Sequence, residues 1–190
     1  MLPKNTASAI AMSALYLPPD DRVTTPFTDY ELGAVALSDA SKGLTARNWT
    51  CWLDQYNVWL QMDGAAPILL FQELDLTEIS FTFDQNMRWC VTYIQAGVMK
   101  LKWWDSLVNA YATTSFFAAR TPKVALDDKR YTQLGKSDMI LAYIRDNKLC
   151  YRQQRDRFTV ERVLRDNLYP GTRLKNIGMG KNLRMLFELV

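Results

Sequence analysis

The sequence predicts an all-β fold of antiparallel meanders, arranged as propeller-blade-like or sandwich-like repeats. Short runs rich in β-branched and aromatic residues are bounded by Asp, Asn, Gly and Ser, which is the pattern of strands joined by tight turns. These runs group into units that recur with a period of about 40 to 50 residues, as the blades of propellers do. Near the C-terminus every second residue from 183 to 189 is apolar, which is the period of a half-buried strand.

The first 31 residues are predicted to form an N-terminal arm or edge segment. Prolines at positions 18, 19 and 26 exclude a long helix there and favour extended chain broken by turns. Residues 32–190 are predicted to form a single β-rich domain built of repeated three- to four-stranded meanders. That domain begins with a short strand at residues 34–37, which ends in a cluster of turn formers.

Three strand units follow, and each strand in them is bounded by turn residues. The predicted strands are residues 49–53, 58–61 and 67–71 in the first unit, 79–83, 88–94 and 99–104 in the second, and a hairpin turning at Asp146-Asn147 followed by 159–164 in the third. Residues 106–117 have mixed periodicity, so the pattern leaves a short helix and a further strand both open.

Two of the units share a visible sequence pattern. Residues 91–94 (Val-Thr-Tyr-Ile) correspond to residues 141–144 (Leu-Ala-Tyr-Ile), and across the next turn residues 101–103 correspond to residues 149–151. Three units are too few to close a propeller. We therefore expect an open stack or sandwich, or a larger ring to which several chains contribute.

Composition sets the broad class of protein. The chain has 190 residues, of which 48% are hydrophobic and 23% charged, which suits one compact, soluble domain. Its apolar runs are far shorter than the roughly 20 residues that a membrane-spanning helix needs, so no membrane span is expected. The net charge of +3 is too small to indicate a nucleic-acid partner by itself.

The sequence contains no histidine, and this absence removes most familiar catalytic systems. Histidine is the usual general base near neutral pH and the commonest ligand of transition metals. The three cysteines, Cys51, Cys90 and Cys150, lack CxxC spacing and are predicted to be reduced, buried side chains in strands. We expect neither a metal nor another cofactor.

Paired carboxylates would still allow a glycosidase mechanism. Each candidate lies at a turn or strand end, where a solvated acid or an Asx turn is the simpler interpretation. The expectation is therefore that the protein is not an enzyme. The acids considered are Asp84, Asp105, Asp127, Asp128, Asp138 and Glu161.

A basic and aromatic concentration follows the predicted hairpin. If the chain stays extended there, Arg155 and Arg157 share a face with Tyr151, whereas Arg152 lies on the other face, so neither face is purely basic. An ion-paired strand within an interface is favoured over nucleic-acid binding, with Asp127, Asp128 and Glu161 as the expected partners. Adjacent tryptophans could form sugar-stacking platforms, but in a β protein they more often fill the core or an oligomer interface. The candidate interface residues are Arg152, Arg155, Arg157, Arg162, Trp103 and Trp104.

Several segments resemble a group of small structural proteins of tailed bacteriophages. The similarity runs from about residue 32 to the C-terminus, and no catalytic residues are tied to its motifs. It is carried by residues 83–88 (Phe-Asp-Gln-Asn-Met-Arg), 126–130, 137–143, 151–158 (Tyr-Arg-Gln-Gln-Arg-Asp-Arg-Phe) and 178–189.

This resemblance implies a virion component of the tail, neck or adsorption apparatus, assembled in several copies in the host cytoplasm. Its expected partners are further copies of itself and other virion proteins, and a head-to-tail ring would use two different faces of the chain. Two other functions stay open at this point. One is a carbohydrate-binding adhesion module that contacts a host surface glycan, which needs exposed tryptophan rows, and the weaker one is single-stranded nucleic-acid binding.

Overall fold

The computed structural model of the protein describes residues 23–28, 46–62, 64–84, 86, 88–127, 137–179 and 184–190. These residues form fourteen strands in four antiparallel sheets and one turn of 3-10 helix, which confirms the all-β prediction. Each sheet is a meander in which every strand pairs with the next strand in the chain. Within these residues no helix is long and apolar enough to cross a membrane.

Sheets 1, 2 and 3 have four strands each and sheet 4 has two. Sheet 1 contains β1 (Val23–Thr28), β2 (Ala46–Asp54), β3 (Asn57–Met62) and β4 (Ile68–Gln72). Sheet 2 contains β5 (Leu76–Phe83), β6 (Trp89–Gln95), β7 (Val98–Asp105) and β8 (Ala110–Phe116). Sheet 3 contains β9 (Ala119–Asp127), β10 (Asp138–Arg145), β11 (Lys148–Gln153) and β12 (Arg162–Arg165), and sheet 4 contains β13 (Leu174–Met179) and β14 (Met185–Leu189).

The sheets stack face to face, with one hydrophobic core between each pair of neighbours. The first core joins sheets 1 and 2 through residues such as Phe71 and Tyr93, and the second joins sheets 2 and 3 through residues such as Leu101 and Tyr143. The third joins sheets 3 and 4 around Ile144 and Ile177. Sheets 2 and 3 are therefore buried on both faces, and the described strands form an open stack of blade-like sheets, the first of the arrangements expected from the repeat pattern.

Tight two-residue turns set the register of the repeated hairpins. The predicted turn at Asp146 and Asn147 is confirmed: both residues have positive φ, and β10 pairs with β11 on either side of them. In sheet 2 the equivalent turn is Ala96-Gly97, also with positive φ at both positions. Gly97 supplies this conformation without steric cost, whereas Asp and Asn tolerate it through local hydrogen bonding.

The predicted correspondence between the second and third units holds for β6 and β10. For the strands that follow, β7 and β11, the predicted alignment is displaced by two residues. Tyr93 pairs with Lys100 and Tyr143 pairs with Cys150. Met99 is thus the equivalent of Leu149, and the predicted match of residues 101–103 with 149–151 is wrong. Because both turns have two residues, the strands that follow them must be aligned from the turn. The similarity of side chains suggested a different alignment and was misleading.

The open question about residues 106–117 is resolved in favour of strand. A turn precedes β8, whose side chains are mostly small and polar because it is the outer strand of sheet 2. The next strand, β9, contains Pro122, which an edge strand tolerates. Thr121 has φ of 50°, and the register with β10 shifts nearby, so this proline follows a β-bulge.

The predicted N-terminal arm lies mostly outside the described residues. Its residues 23–28 form β1, which pairs with β2 at the edge of sheet 1. The predicted strand at residues 34–37, and also Asp128 and Leu183, lie outside the described residues. At the other end of the chain, β14 buries one face of alternating residues more than the other, as its sequence period predicted.

One buried cysteine lies in each four-stranded sheet. Cys51 is in β2, Cys90 in β6 and Cys150 in β11, and all three are free thiols. Burial raises the pKa of each thiol, so each stays protonated near neutral pH. The prediction of buried, reduced cysteines in strands is confirmed.

Candidate interface site

A cleft of about 560 Å³ opens between sheets 2 and 3 at one end of their strands. We call it the intersheet cleft. It lies where β5 turns into β6, where β7 ends, where β10 begins and where the 3-10 turn at Gln154–Asp156 follows β11. Its walls are Asp84, Asn86, Arg88, Trp103, Trp104, Asp105, Ser106, Leu107, Ser137, Asp138, Gln154, Arg155 and Arg157.

The cleft brings together four of the six predicted interface residues. Arg155 and Arg157 enter it from sheet 3, and Trp103 and Trp104 enter it from β7 of sheet 2. Arg152 and Arg162 do not line it. Three of the acids considered from the sequence, Asp84, Asp105 and Asp138, do line it, although Asp84 and Asp138 are 54 positions apart in the sequence.

The backbone around the arginines is not the extended strand that the sequence suggested. β11 ends at Gln153, and one 3-10 turn follows. Arg157 and Phe158 then adopt left-handed φ values of 51° and 57°. The predicted alternation of faces is therefore wrong beyond residue 153, because this bend turns Arg155 and Arg157 into the cleft.

Arg155 and Arg157 are each held by a buried carboxylate. Arg155 donates to Asp138 twice, from its backbone N at 2.9 Å and from Nε at 2.6 Å. Arg157 donates to Asp105 across the gap between sheets 3 and 2. The Asp105 carboxylate also accepts the Leu107 amide at 3.0 Å, which fixes the turn after β7. The first pair stiffens the bend of sheet 3, and the second ties the two sheets together.

The two other candidate arginines lie outside the cleft and are also paired. Arg152 pairs with Glu161 at 3.3 Å and Arg162 pairs with Asp156 at 2.6 Å. The sequence predicted ion pairing and named Glu161 correctly, but it missed Asp138, Asp105 and Asp156 as partners. Asp127 accepts the Asp138 amide at 2.9 Å and is close enough to help raise the pKa of Arg155, after the larger effect of Asp138 itself.

The acids of the cleft differ in the direction of their pKa shifts. Burial raises the pKa of Asp138, and the hydrogen bonds from Arg155 offset only part of this effect. Burial also raises the pKa of Asp84, although the amides of Arg88 and Asn86 donate to it at 2.9 Å and 2.8 Å. For Asp105 burial acts in the same direction, but the hydrogen bonds from Arg157 and from Leu107 outweigh it and lower the pKa.

Neither cleft tryptophan is an open stacking platform. Trp103 is 4% exposed, its ring meets Phe158 edge-on at 5.0 Å, and its indole N–H donates to Thr114 at 3.3 Å. Trp104 has the Arg88 guanidinium over its ring at 4.6 Å. All six tryptophans are partly or fully buried. They serve packing between and within sheets, as aromatic side chains in β proteins commonly do.

A second polar feature, which we call the tyrosine joint, occurs twice between sheets. In the joint of sheets 2 and 3, the buried Tyr143 hydroxyl donates to Glu161 and accepts from Arg152 Nε at 2.7 Å. The Arg152 guanidinium lies 5.0 Å from the centre of the Phe116 ring, which comes from the last strand of sheet 2. Arg152 therefore links two sheets even though it lies outside the cleft.

The joint of sheets 1 and 2 repeats this arrangement. The buried Tyr93 hydroxyl donates to Glu73 at 2.9 Å, and Lys102 lies 3.5 Å from the same carboxylate. The Lys102 ammonium sits 4.4 Å from the centre of the Phe71 ring. Sequence reasoning matched the two tyrosines but missed Glu73 and Lys102. Aligning the two hairpins by their turns would have identified Lys102. It pairs with Val91 in sheet 2 as Arg152 pairs with Leu141 in sheet 3, so the two cations occupy equivalent positions.

Among the described side chains, no group of three or more acidic or cysteine residues is placed to hold a metal ion. No protein-family model, curated protein or solved structure matches this chain.

Proposed function

We propose that this chain is a non-enzymatic structural protein of a tailed-bacteriophage virion, present in several copies in the tail, neck or adsorption apparatus. The proposal begins from the sequence resemblance described above. The observation that supports it is the repeated tyrosine joint: a tyrosine, a glutamate, a cation and a phenylalanine join sheet 1 to sheet 2, and the same four kinds of group join sheet 2 to sheet 3. Ion pairs and aromatic rings are thus used to build a rigid stack, as suits a part of a large assembly.

The charged groups of the cleft also suit a structural role better than a catalytic one. Each of the three cleft acids already accepts backbone amides or an arginine, which holds it in a fixed structural role. A glycosidase needs one acid free to protonate a leaving group and another free to attack or to activate water. With all three cleft acids engaged in the fold, we propose that the protein has no catalytic activity.

The alternatives have less support. A glycan-binding adhesion module would present tryptophan faces to solvent, whereas Trp103 is buried and the other five tryptophans are half-buried. Single-stranded nucleic-acid binding would use a row of free cations along one face, whereas Arg152, Arg155, Arg157 and Arg162 each have a carboxylate partner and only two of the four line the cleft. Pairing of this kind lowers the number of counterions that a polyanion could release on binding.

The mass of the purified protein in solution tests the proposal. Light scattering over a hundredfold range of concentration is expected to give a discrete oligomer whose mass is a multiple of the 21.9 kDa chain. A mass of one chain at every concentration would contradict self-assembly. In that case the same sample should be tested on host-surface glycans, where binding would move the assignment to the adhesion module.

A further inference from the structure

The two ends of sheet 2 present different and complementary surfaces. One end carries the intersheet cleft, and the other carries a smaller cavity of about 360 Å³. Since strands β5, β6, β7 and β8 have seven or eight residues, these ends lie about 25 Å apart. We call them the cleft end and the acidic end.

The cleft end exposes cations and apolar side chains. Its three acids are between 3% and 7% exposed, whereas the side chains of Arg155 and Arg157 are 59% and 49% exposed. The surface that a partner meets is therefore made of guanidinium groups, although the cleft as a whole has balanced charges. Beside them Leu107 and Val108, in the turn after β7, are 74% and 60% exposed.

The acidic end exposes a carboxylate and apolar side chains. Leu74 and Phe117 line its cavity and are 69% and 73% exposed. Asp75 lies beside Leu74 and is also exposed. Lys100 lines the cavity as well, but its ammonium is engaged by Gln95 and lies 4.0 Å from Glu73. An unpaired acid flanked by two large apolar groups thus matches the arginines and apolar pair of the opposite end.

We propose that copies of this chain bind head to tail, with the acidic end of one copy docked on the cleft end of the next. Asp75 approaches the free N–H groups of Arg155 and Arg157, and Leu74 and Phe117 cover Leu107 and Val108. Burying exposed apolar surface supplies most of the driving force, and the charges set the orientation. The contact uses two different faces, so it generates a ring if the rotation closes and a filament if it does not.

This inference rests on the multi-copy function proposed above, and a pair of one-sided variants tests it. Leu107→Asp places an acid on the cleft end, under Leu74 and Phe117 of the neighbour and close to its Asp75. Leu74→Lys places a cation on the acidic end, over Leu107 and Val108 of the neighbour and close to its Arg155 and Arg157. Both positions are highly exposed, so folding is expected to be unchanged, which far-UV circular dichroism checks. Leu186→Lys, at an exposed apolar position of sheet 4, is the matched control.

Each one-sided variant alone is expected to have the mass of a single chain at concentrations where the wild-type protein and L186K assemble. Mixed in equal amounts, L107D and L74K retain one intact cleft end and one intact acidic end. The mixture is therefore expected to form a one-to-one complex of twice the 21.9 kDa chain mass. No larger species is expected, because one exposed ion pair between the two substituted positions is worth too little to replace the apolar contact.

Two outcomes would overturn the head-to-tail contact while leaving multi-copy assembly in place. One is a wild-type oligomer that persists in both L107D and L74K. The other is dissociation of both variants with no complex in their mixture, which would indicate a contact between like faces. A wild-type protein that stays a single chain throughout would overturn the contact and self-assembly together.

Discussion

The two tyrosine joints occupy equivalent positions in the stack but differ in how tightly their carboxylates are held. Glu73 receives one hydrogen bond from Tyr93 and has two lysines within 4.0 Å. Glu161 is bound by Tyr143, Arg145 and Arg152, and Arg152 also donates to the backbone carbonyls of Phe158 and Thr159. A planar guanidinium can satisfy several acceptors at once, whereas an ammonium acts as a point charge.

The origin of each glutamate differs as well. Glu73 follows β4, so the first joint borrows its acid from the connection between sheets 1 and 2. Glu161 lies between the 3-10 turn and β12, so the second joint takes its acid from sheet 3 itself. The comparison teaches that the backbone repeat fixes the tyrosine, the cation and the phenylalanine, whereas the carboxylate is supplied by whichever connection passes nearby.

The largest expected difference comes from removing the cation of each joint. Arg152→Met leaves the Tyr143 hydroxyl and two backbone carbonyls without their donor, and is expected to cost about 3 kcal/mol of unfolding free energy. Lys102→Met removes a partly exposed ammonium from a looser pair, and is expected to cost about 0.5 kcal/mol. Urea unfolding of both variants measures the difference. Equal losses would show that the extra hydrogen bonds of Arg152 do not add stability.

A smaller difference is expected when each tyrosine hydroxyl is removed. Tyr143→Phe breaks hydrogen bonds to both Glu161 and Arg152, and is expected to cost about 2 kcal/mol. Tyr93→Phe breaks the bond to Glu73 alone, with an expected cost of about 1 kcal/mol. Thermal or urea unfolding in the same buffer provides the comparison. A larger loss for Y93F would reverse the proposed ranking of the two joints.

Alkaline pH is expected to affect the two joints alike. Burial, and secondarily the neighbouring glutamate, raises the pKa of both Tyr93 and Tyr143. Their protons stay bound in the folded protein above pH of about 10, where an unfolded tyrosine loses its proton. The stabilisation is therefore complete below that pH and is lost as the pH rises.

Y93F and Y143F should each flatten the fall in unfolding free energy as the pH rises above about 10, compared with the wild-type protein. The exposed Tyr169, replaced by Phe, serves as the control with no expected change. If one of the two buried positions leaves the pH dependence unaltered, its hydroxyl is not shielded as the structure indicates.

Sequence reasoning succeeded where local chemistry determines structure. The Asp146-Asn147 turn, the strand-length runs around it and the matching tyrosines all follow from turn preferences and β propensity. It failed at residues 154–158, because the bend there depends on Asp138, which is distant in the sequence and caps the Arg155 amide. A run of Gln, Arg and Asp carries no local signal for such a bend.

The sequence identified several residues of the candidate site but not how they are arranged in space. The arginines and tryptophans were singled out for their concentration, and four of them do meet in one cleft. Their partners were missed because Asp105 and Arg157 are brought together by stacking of sheets 2 and 3, a relation that strand periodicity alone does not specify. Glu73 was missed for the same reason, since it joins Tyr93 only after sheet 1 has packed on sheet 2.

The three buried cysteines allow local opening of each of the first three sheets to be measured separately. Cys51, Cys90 and Cys150 lie one in each of the first three sheets, and each thiol is shielded by its own neighbours. A thiol reagent reaches such a group only when the surrounding sheet opens. The relative labelling rates of the three cysteines therefore show whether the sheets open independently or all at once. The experiment needs no substitution in the chain.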